Sequence, residues 1–248
     1  MESKFKVPTE TVELPSKGLL YPEGSPLKSG TIEMKYMTAK EEDILTNTNY
    51  IKNGTVIDKL LQSLIVTDIN YNDLLIGDKN AIMVAARILS YGKDYTFGFG
   101  GEEYTIDLAL LEHKELSSEF AKAKENTFNL TLPHSENQIT FKLLCHGDEQ
   151  RIEQEIAGLK RINKDNTPEV TTRLKHIITS INGSTDKNDV RDFVEFGLLA
   201  KDARALREYY ATVSPDIEMK FFYKDETGAD KEAALPVGIT FFWPDAGV

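Results

Sequence analysis

Alternating apolar and polar residues predict short, half-buried strands at several points along this chain. The predicted strands, alone or paired as hairpins, lie at 31–37, 95–108, 128–144, 217–223 and 235–245. In the hairpin at 95–108 the turn falls at Gly100 and Gly101, which suits a tight connection. These segments are short and closely spaced, so we expect antiparallel pairing.

Apolar residues at helical spacing predict helices between the strands. The predicted helices lie at 38–47, 57–65, 78–91, 110–125, 148–162, 167–183, 186–196 and 199–210. Thr38 and Glu41 have the spacing of a capping box at the start of the first helix. Gly92 stands where a C-terminal cap belongs. The stretch 110–125 is charged and is expected to connect two halves of the molecule.

The predicted helix 167–183 begins at Thr167-Pro168, a cap residue followed by proline at the first helical position. Its apolar residues fall on one face, which predicts a core helix. They are Val170, Leu174, Ile177, Ile178 and Ile181.

Four prolines interrupt the first 30 residues at intervals that neither a helix nor a central strand tolerates: Pro8, Pro15, Pro22 and Pro26. We therefore expect an arm that is extended or turned, with few hydrogen bonds of its own. Its apolar residues must lie on another surface. One interpretation packs the arm on its own domain, and the other docks it on a neighbouring subunit.

The end of the chain raises the same question, because Phe241, Phe242 and Trp243 are consecutive. In a strand, consecutive side chains face opposite sides, so both faces need covering. The strand is either central and buried or covered on one face by a partner. The partner-binding hypothesis names Leu14, Leu19, Leu20, Tyr21, Pro22, Phe242 and Trp243.

A Leu-Pro pair followed by a strand recurs at Leu14-Pro15, Leu132-Pro133 and Leu235-Pro236. Two of these units continue from a strand into a helix that begins with acidic residues. We predict an α+β fold of two similarly built halves, each with short antiparallel strands and a helical cluster. The predicted divisions are an extended Pro-rich arm at 1–30, an N-terminal half at 31–125 and a C-terminal half at 126–248.

Charge and composition narrow the class of protein. The net charge is −11 over 248 residues with no segregated basic patch, so we expect no binding to nucleic acid or to an anionic membrane. The first residues lack the apolar core of a signal peptide, and Cys145 is the only cysteine. We therefore expect a cytosolic protein without disulfides.

Candidate chemistry is sparse. Cys145 and His146 are adjacent and match no zinc spacing, and a cysteine nucleophile would need a positioned base from elsewhere. Gly98 to Gly101 is too short for a phosphate loop and is followed by two glutamates. The acidic pairs at helix starts are explained by capping. We expect no catalytic residues, no metal and no cofactor.

Several stretches together resemble one known family, the baseplate hub assembly proteins and hub subunits of T-even-type contractile-tailed phages. They are 12–22, 41–47, 86–92, 146–149, 172–178, 203–208 and 241–245. Some relatives have a Cys-x-x-Cys insertion in the first hairpin, but this chain has no cysteine at 97–104, so the resemblance implies no zinc here.

The resemblance implies that the protein takes part in building the baseplate hub, with the tape-measure protein or other hub proteins as partners. It implies no catalytic residues. We expect an assembly factor that binds hub components in the host cytoplasm. The alternative is a permanent structural subunit of the hub in the virion tail. A third hypothesis is a peptidoglycan hydrolase of the tail tip. The sequence disfavours this hypothesis because it offers no set of catalytic residues.

Overall fold

The computed structural model describes residues 6–162, 168–224 and 227–242. Its strands form small antiparallel sheets. The strands are β1 Thr9–Glu13, β2 Thr31–Lys35, β3 Asp94–Phe99, β4 Glu102–Asp107, β5 Phe128–Thr131, β6 Gln138–Phe141, β7 Ile178–Ile181, β8 Lys220–Lys224 and β9 Asp230–Ala234. β1 pairs with β2, β3 with β4 and β8 with β9, and β5, β6 and β7 form one sheet in that order. The predicted hairpins at 95–108 and 128–144 are confirmed.

Helices pack around these sheets. They are α1 Ala39–Leu45, α2 Thr48–Lys52, α3 Val56–Leu64, α4 Ile76–Tyr91, α5 Ser118–Lys122, α6 His146–Ile162, α7 Glu169–Ile177, α8 Lys187–Asp192, α9 Ala200–Val213 and α10 Ile239–Phe242. The capping box of Thr38 and Glu41 begins α1 as predicted, and Gly92 ends α4 with φ 84°. No helix of the described residues is both long enough and apolar enough to span a bilayer.

The N-terminal segment is more regular than the sequence predicts. β1 fits between Pro8 and Pro15, so no proline interrupts its ladder, and Val12 lies opposite Ile32 of β2. After β1 the chain runs through turns and a short 3-10 helix at Pro26–Ser29. Gly18 needs its positive φ of 73°, and a Cβ there would come within 2.4 Å of the carbonyl oxygen of Lys28.

Three predicted elements are wrong. Only Ser118–Lys122 is α-helical within 110–125. The predicted helix 167–183 ends at Ile177, and Ile178–Ile181 becomes β7 because the edge of β6 is open to pair with a β-branched segment. Thr167 itself lies outside the described residues. The expected final strand is instead the short helix α10, whose Phe241 and Phe242 rings pack edge to face at 5.2 Å.

One hydrophobic core runs through both halves of the sequence. The strands β8 and β9 lie beside the hairpin of β3 and β4, where the Phe221 ring packs edge to face on Phe97 and Phe99. The hydroxyl of Tyr95 donates to the carbonyl oxygen of Pro236 at 2.7 Å. The α+β fold with short antiparallel strands and helical clusters is confirmed, and the description as two similarly built halves is compatible with it. The chain limits of the three predicted divisions stay a prediction.

The halves repeat one order of elements: a hairpin, a helix that begins soon after its second strand, a return segment beside that strand, and a long helix. The return segment of the N-terminal half is Ile65, which bridges to Met34 of β2. In the C-terminal half Ile178 of β7 pairs with Phe141 of β6. Met34 and Phe141 hold equivalent positions, each four residues before the residue that precedes the next helix, Thr38 or Cys145.

Candidate functional site

A buried carboxylate in the N-terminal half joins the end of β2 to α1. Glu41 is fully buried and accepts hydrogen bonds from Lys35 Nζ at 2.8 Å, from Thr38 Oγ1 at 2.6 Å and from Ser63 Oγ at 2.9 Å. Burial alone raises the pKa of Glu41, but the Lys35 ammonium and the Thr38 donors outweigh it and hold the pKa at about 2. The carboxylate is thus a charged structural link.

The C-terminal half repeats this link. Asp148 accepts from Lys142 Nζ at 2.7 Å, from Cys145 N at 3.1 Å and from Arg151 at 2.6 Å. Burial again raises the pKa of Asp148, and the Lys142 and Cys145 donors outweigh it, so the pKa falls to about 2. The lysine stands six residues and the capping residue three residues before the acid in both halves.

A second pair of buried carboxylates holds the Leu-Pro loops against the long helices. Asp78 of α4 accepts from Ser16 N at 2.9 Å and from Ser16 Oγ and Tyr21 Oη at 2.6 Å each. Asp202 of α9 accepts from His134 N at 2.9 Å and Ser135 N at 3.0 Å. Both acids are the third residue of their helix, where a carboxylate is favoured by the helix dipole.

The two carboxylates of this second pair, Asp78 and Asp202, differ in their pKa shifts. Burial raises the pKa of Asp78, and the donors of Ser16 and Tyr21 offset only part of this effect. Burial also raises the pKa of Asp202, but the donors from Ser135 and His134 outweigh it and lower its pKa. Burial and the neighbouring Asp78 together raise the pKa of Tyr21, which keeps its hydroxyl protonated as a donor.

Cys145 and His146 lie where the two halves meet. The amide of His146 donates to the carbonyl of Leu74 at 2.8 Å, and Ile76 donates to Leu144 at 3.3 Å, so Leu75 and Cys145 form a short antiparallel bridge. The His146 ring packs edge to face on Tyr71 at 4.7 Å. This pair of residues therefore closes the junction between the halves.

The electrostatics of the junction disfavour a nucleophilic cysteine. Burial and the hydrogen bond to Asp148 raise the pKa of the Cys145 thiol. Burial and the Lys79 ammonium lower the pKa of His146. A nucleophile made of a Cys–His pair needs a thiolate beside a charged imidazole, and both pKa shifts oppose that state. No cluster of three potential metal ligands occurs among residues 6–162, 168–224 and 227–242.

An apolar cleft of about 310 Å³ opens beside this junction. Its lining is contributed by the start of α4, the link after β6, α7 and α9, with Ile76, Leu144, Leu174 and Leu206 among its residues. The ion pair of Glu149 and Arg173 lies at the same place. Such a lining suits an apolar side chain better than a polar substrate.

The residues of the partner-binding hypothesis are largely covered by this chain itself. Leu14, Leu20, Tyr21 and Phe242 are buried in the core, so the interpretation in which the arm packs on its own domain fits them. Leu19 is partly buried, Pro22 is exposed, and Trp243 lies outside the described residues. Partner binding through Leu19 and Pro22 stays a prediction, whereas the other four could reach a partner only if the fold opened.

Other apolar residues are exposed, some of them at positions that the sequence placed in helices. Phe196 is 85% exposed and Leu199 50% exposed, because the helix expected at 186–196 ends in a π-helical turn at Phe193–Gly197. Val170, expected in the buried stripe, is 59% exposed. The pattern Leu-Leu-x-x-Asp occurs at 74–78, at the junction, and again at 198–202, which includes the exposed Leu199. This repeat is the signal in the sequence that relates the exposed residues to the junction.

Comparison with known proteins identifies the class. The buried acids described above all serve structural links. The family model of the T4 bacteriophage base plate protein matches residues 8–243, so the chain belongs to this family of phage baseplate proteins. No curated protein and no solved structure matches the chain.

Proposed function

We propose that this baseplate protein helps to assemble the hub of the phage tail, acting by protein–protein binding and not by catalysis. The observation that supports it most directly is the exposure of Phe196 and Leu199, three residues apart between the end of α8 and the start of α9. Large apolar side chains exposed together on a rigid surface are typical of interaction sites. The buried carboxylates described above are committed to structural hydrogen bonds.

The partners we propose are other hub proteins or the tape-measure protein of the same tail. The net charge of −11 supports an assembly role, because it helps to keep a chain with exposed apolar residues soluble until a partner binds. The family description, base plate protein, equally supports the alternative of a permanent hub subunit in the virion tail.

Quantitative mass spectrometry distinguishes these roles. Hub intermediates and finished tails would be purified from infected cells and the amount of this chain compared with that of a tail-tube protein. An assembly factor is present in the intermediates and absent from finished tails, whereas a subunit keeps a constant ratio in both. Absence from both fractions would refute the proposal.

A complementation experiment tests the surface itself. Phage lacking the gene would be supplied with the wild-type chain, with Phe196→Ser or with Leu110→Ser, a control at another exposed apolar residue. We expect Phe196→Ser alone to reduce tail yield at unchanged stability. A cell-wall digestion assay on the purified protein should show no clearing, and clearing would favour the hydrolase.

A further inference from the structure

The contact between the two halves uses an edge from each of them. The N-terminal half contributes Leu74, Leu75 and Ile76 at the start of α4, and the C-terminal half contributes Leu144, Cys145 and His146 at the start of α6. Two backbone hydrogen bonds join the edges, from Ile76 to Leu144 and from His146 to Leu74. Leu74 and Leu75 are buried by this contact and its surroundings.

Each half also has the counterpart of the edge that the other half uses. In the C-terminal half, Leu198, Leu199 and Ala200 precede Asp202 as Leu74, Leu75 and Ile76 precede Asp78. In the N-terminal half, Met37, Thr38 and Ala39 precede Glu41 as Leu144, Cys145 and His146 precede Asp148. We name the first set the open C-edge and the second set the open N-edge.

The backbone geometry of the open edges matches that of the paired ones. Leu199 and Leu75 each precede a helix with extended backbone, ψ 144° and 146°, and each carbonyl accepts from the residue four positions on. Thr38 and Cys145 each accept from the third and fourth following amides. Within the described part of the chain, the amides of Ala39 and Ala200 and the carbonyls of Met37 and Leu198 have no hydrogen-bond partner.

We propose that a second copy of this chain docks its open C-edge on the open N-edge of the first, repeating the junction between the halves. Ala200 would donate to Met37, and Ala39 would donate to Leu198. The occupant is another copy because the chain already contains this interface once, and its two unused edges are complementary to each other.

The exposed side chains fit this arrangement. Phe196 stands at the place of Asn72, and Lys40 at the place of Gly147. A Cβ added to Gly147 would come within 3.1 Å of the Asn72 Cβ, so the docked edges must lie a few tenths of an ångström further apart than the junction to admit the Lys40 Cβ. The docking therefore brings the exposed Phe196 ring beside the Lys40 side chain, where an aromatic face attracts an ammonium group. Leu199 would be covered as Leu75 is.

Such an interface is head-to-tail, so it does not close after two copies. It generates a ring if the rotation between copies closes and an open filament otherwise. This inference concerns the purified chain alone and holds whether the protein is an assembly factor or a permanent subunit.

Proline substitutions test the interface without disturbing the fold. Ala39 and Ala200 are each the first residue of a helix, where proline is favoured, and each follows a residue with extended backbone. Ala39→Pro removes the donor of the open N-edge, and Ala200→Pro removes the donor of the open C-edge. Ser118→Pro, at the exposed first residue of α5, is the matched control.

Sedimentation velocity would be measured over a concentration series up to about 100 µM, since a small interface associates weakly. We expect the wild type and Ser118→Pro to form species larger than dimers. Each edge variant alone should associate about tenfold more weakly, in line with the loss of one hydrogen bond.

Mixing the two edge variants gives the decisive result. Ala39→Pro retains its C-edge and Ala200→Pro retains its N-edge, so an equimolar mixture should form dimers at concentrations at which each variant alone stays monomeric. A wild type that stays monomeric throughout, edge variants that associate like the wild type, or a mixture without dimers would each overturn the proposal. These outcomes are independent of the tail-fraction experiment, so the two proposals can fail separately.

Discussion

Glu41 and Asp148 occupy equivalent places in the two halves, each accepting a hydrogen bond from a lysine six residues earlier in the chain. Both acids link the end of a strand to the start of a helix, and both have a pKa of about 2. The equivalence ties the stability of the fold to pH in a defined direction.

Replacing Asp148 with asparagine should destabilise the protein by about 1–3 kcal/mol near neutral pH, because Lys142 and Arg151 lose a charged acceptor. The ordinary pKa of an aspartate is 3.8 and that of Asp148 is about 2. The ionised carboxylate therefore contributes stability above pH 3.8 that is lost as the pH falls towards 2.

Urea denaturation over this pH range checks the prediction. The difference between wild type and Asp148→Asn should shrink as the pH falls towards 2. Glu208→Gln, which removes an exposed ion pair with Arg204, is the control and should change the unfolding free energy by less than about 1 kcal/mol. A difference that is the same at every pH would contradict the role given to Asp148.

Tyr21→Phe should destabilise the protein by about 1–3 kcal/mol, because the hydroxyl serves two buried partners. It donates to Asp78 at 2.6 Å and accepts from the amide of Leu75 at 2.9 Å. Tyr36→Phe removes a hydroxyl that reaches only the exposed Glu10, so it should cost less than about 0.5 kcal/mol. Equal losses for the two variants would mean that the Asp78 cluster does not hold the loop.

Replacing Leu19, Leu20 and Tyr21 together with serine should lower the unfolding free energy by several kcal/mol. Leu20 and Tyr21 are buried in the core, and each large buried apolar side chain contributes about 1.5–3 kcal/mol. Chemical denaturation of the isolated protein measures this loss. A triple variant as stable as the wild type would show that the arm is not part of the core.

A milder variant tests the remaining hypothesis for the arm. Leu19→Ser combined with Pro22→Ser leaves the buried pair in place and changes only side chains with accessible surface. If these residues bind a partner, the variant should remain folded and fail to support tail assembly. Normal phage growth with this variant would remove the arm from the interaction surface.

Leu174→Ala should cost about 2–5 kcal/mol, because the side chain is 3% exposed and its removal leaves a cavity. Val170→Ala on the same helix is the matched control, since Val170 is 59% exposed and should cost less than about 0.5 kcal/mol. Thermal or urea unfolding of the pair separates the two values. Similar losses of unfolding free energy for the two variants would show that Leu174 does not lie on the buried face of α7.

The features that depend on neighbouring residues in the chain could be read from the sequence. Thr38 and Glu41 satisfy the first amides of α1 locally, and Gly100-Gly101 allows the positive φ values of the first hairpin. The alternation in 31–37 predicted β2 because side chains in a strand alternate between faces. The recurrence of Leu-Pro before a strand likewise indicates two similar halves.

Only the tertiary structure decided features in which a distant partner outweighs local preference. Ile178–Ile181 continues a helical stripe in the sequence but pairs with β6, because that edge offers hydrogen bonds that a longer helix would leave unmade. The link between Ser16 and Asp78 spans 62 residues, so no local pattern reveals it. The exposure of Phe196 depends likewise on where α8 ends and what packs beside it, since burial is a property of the assembled surface and not of the residue.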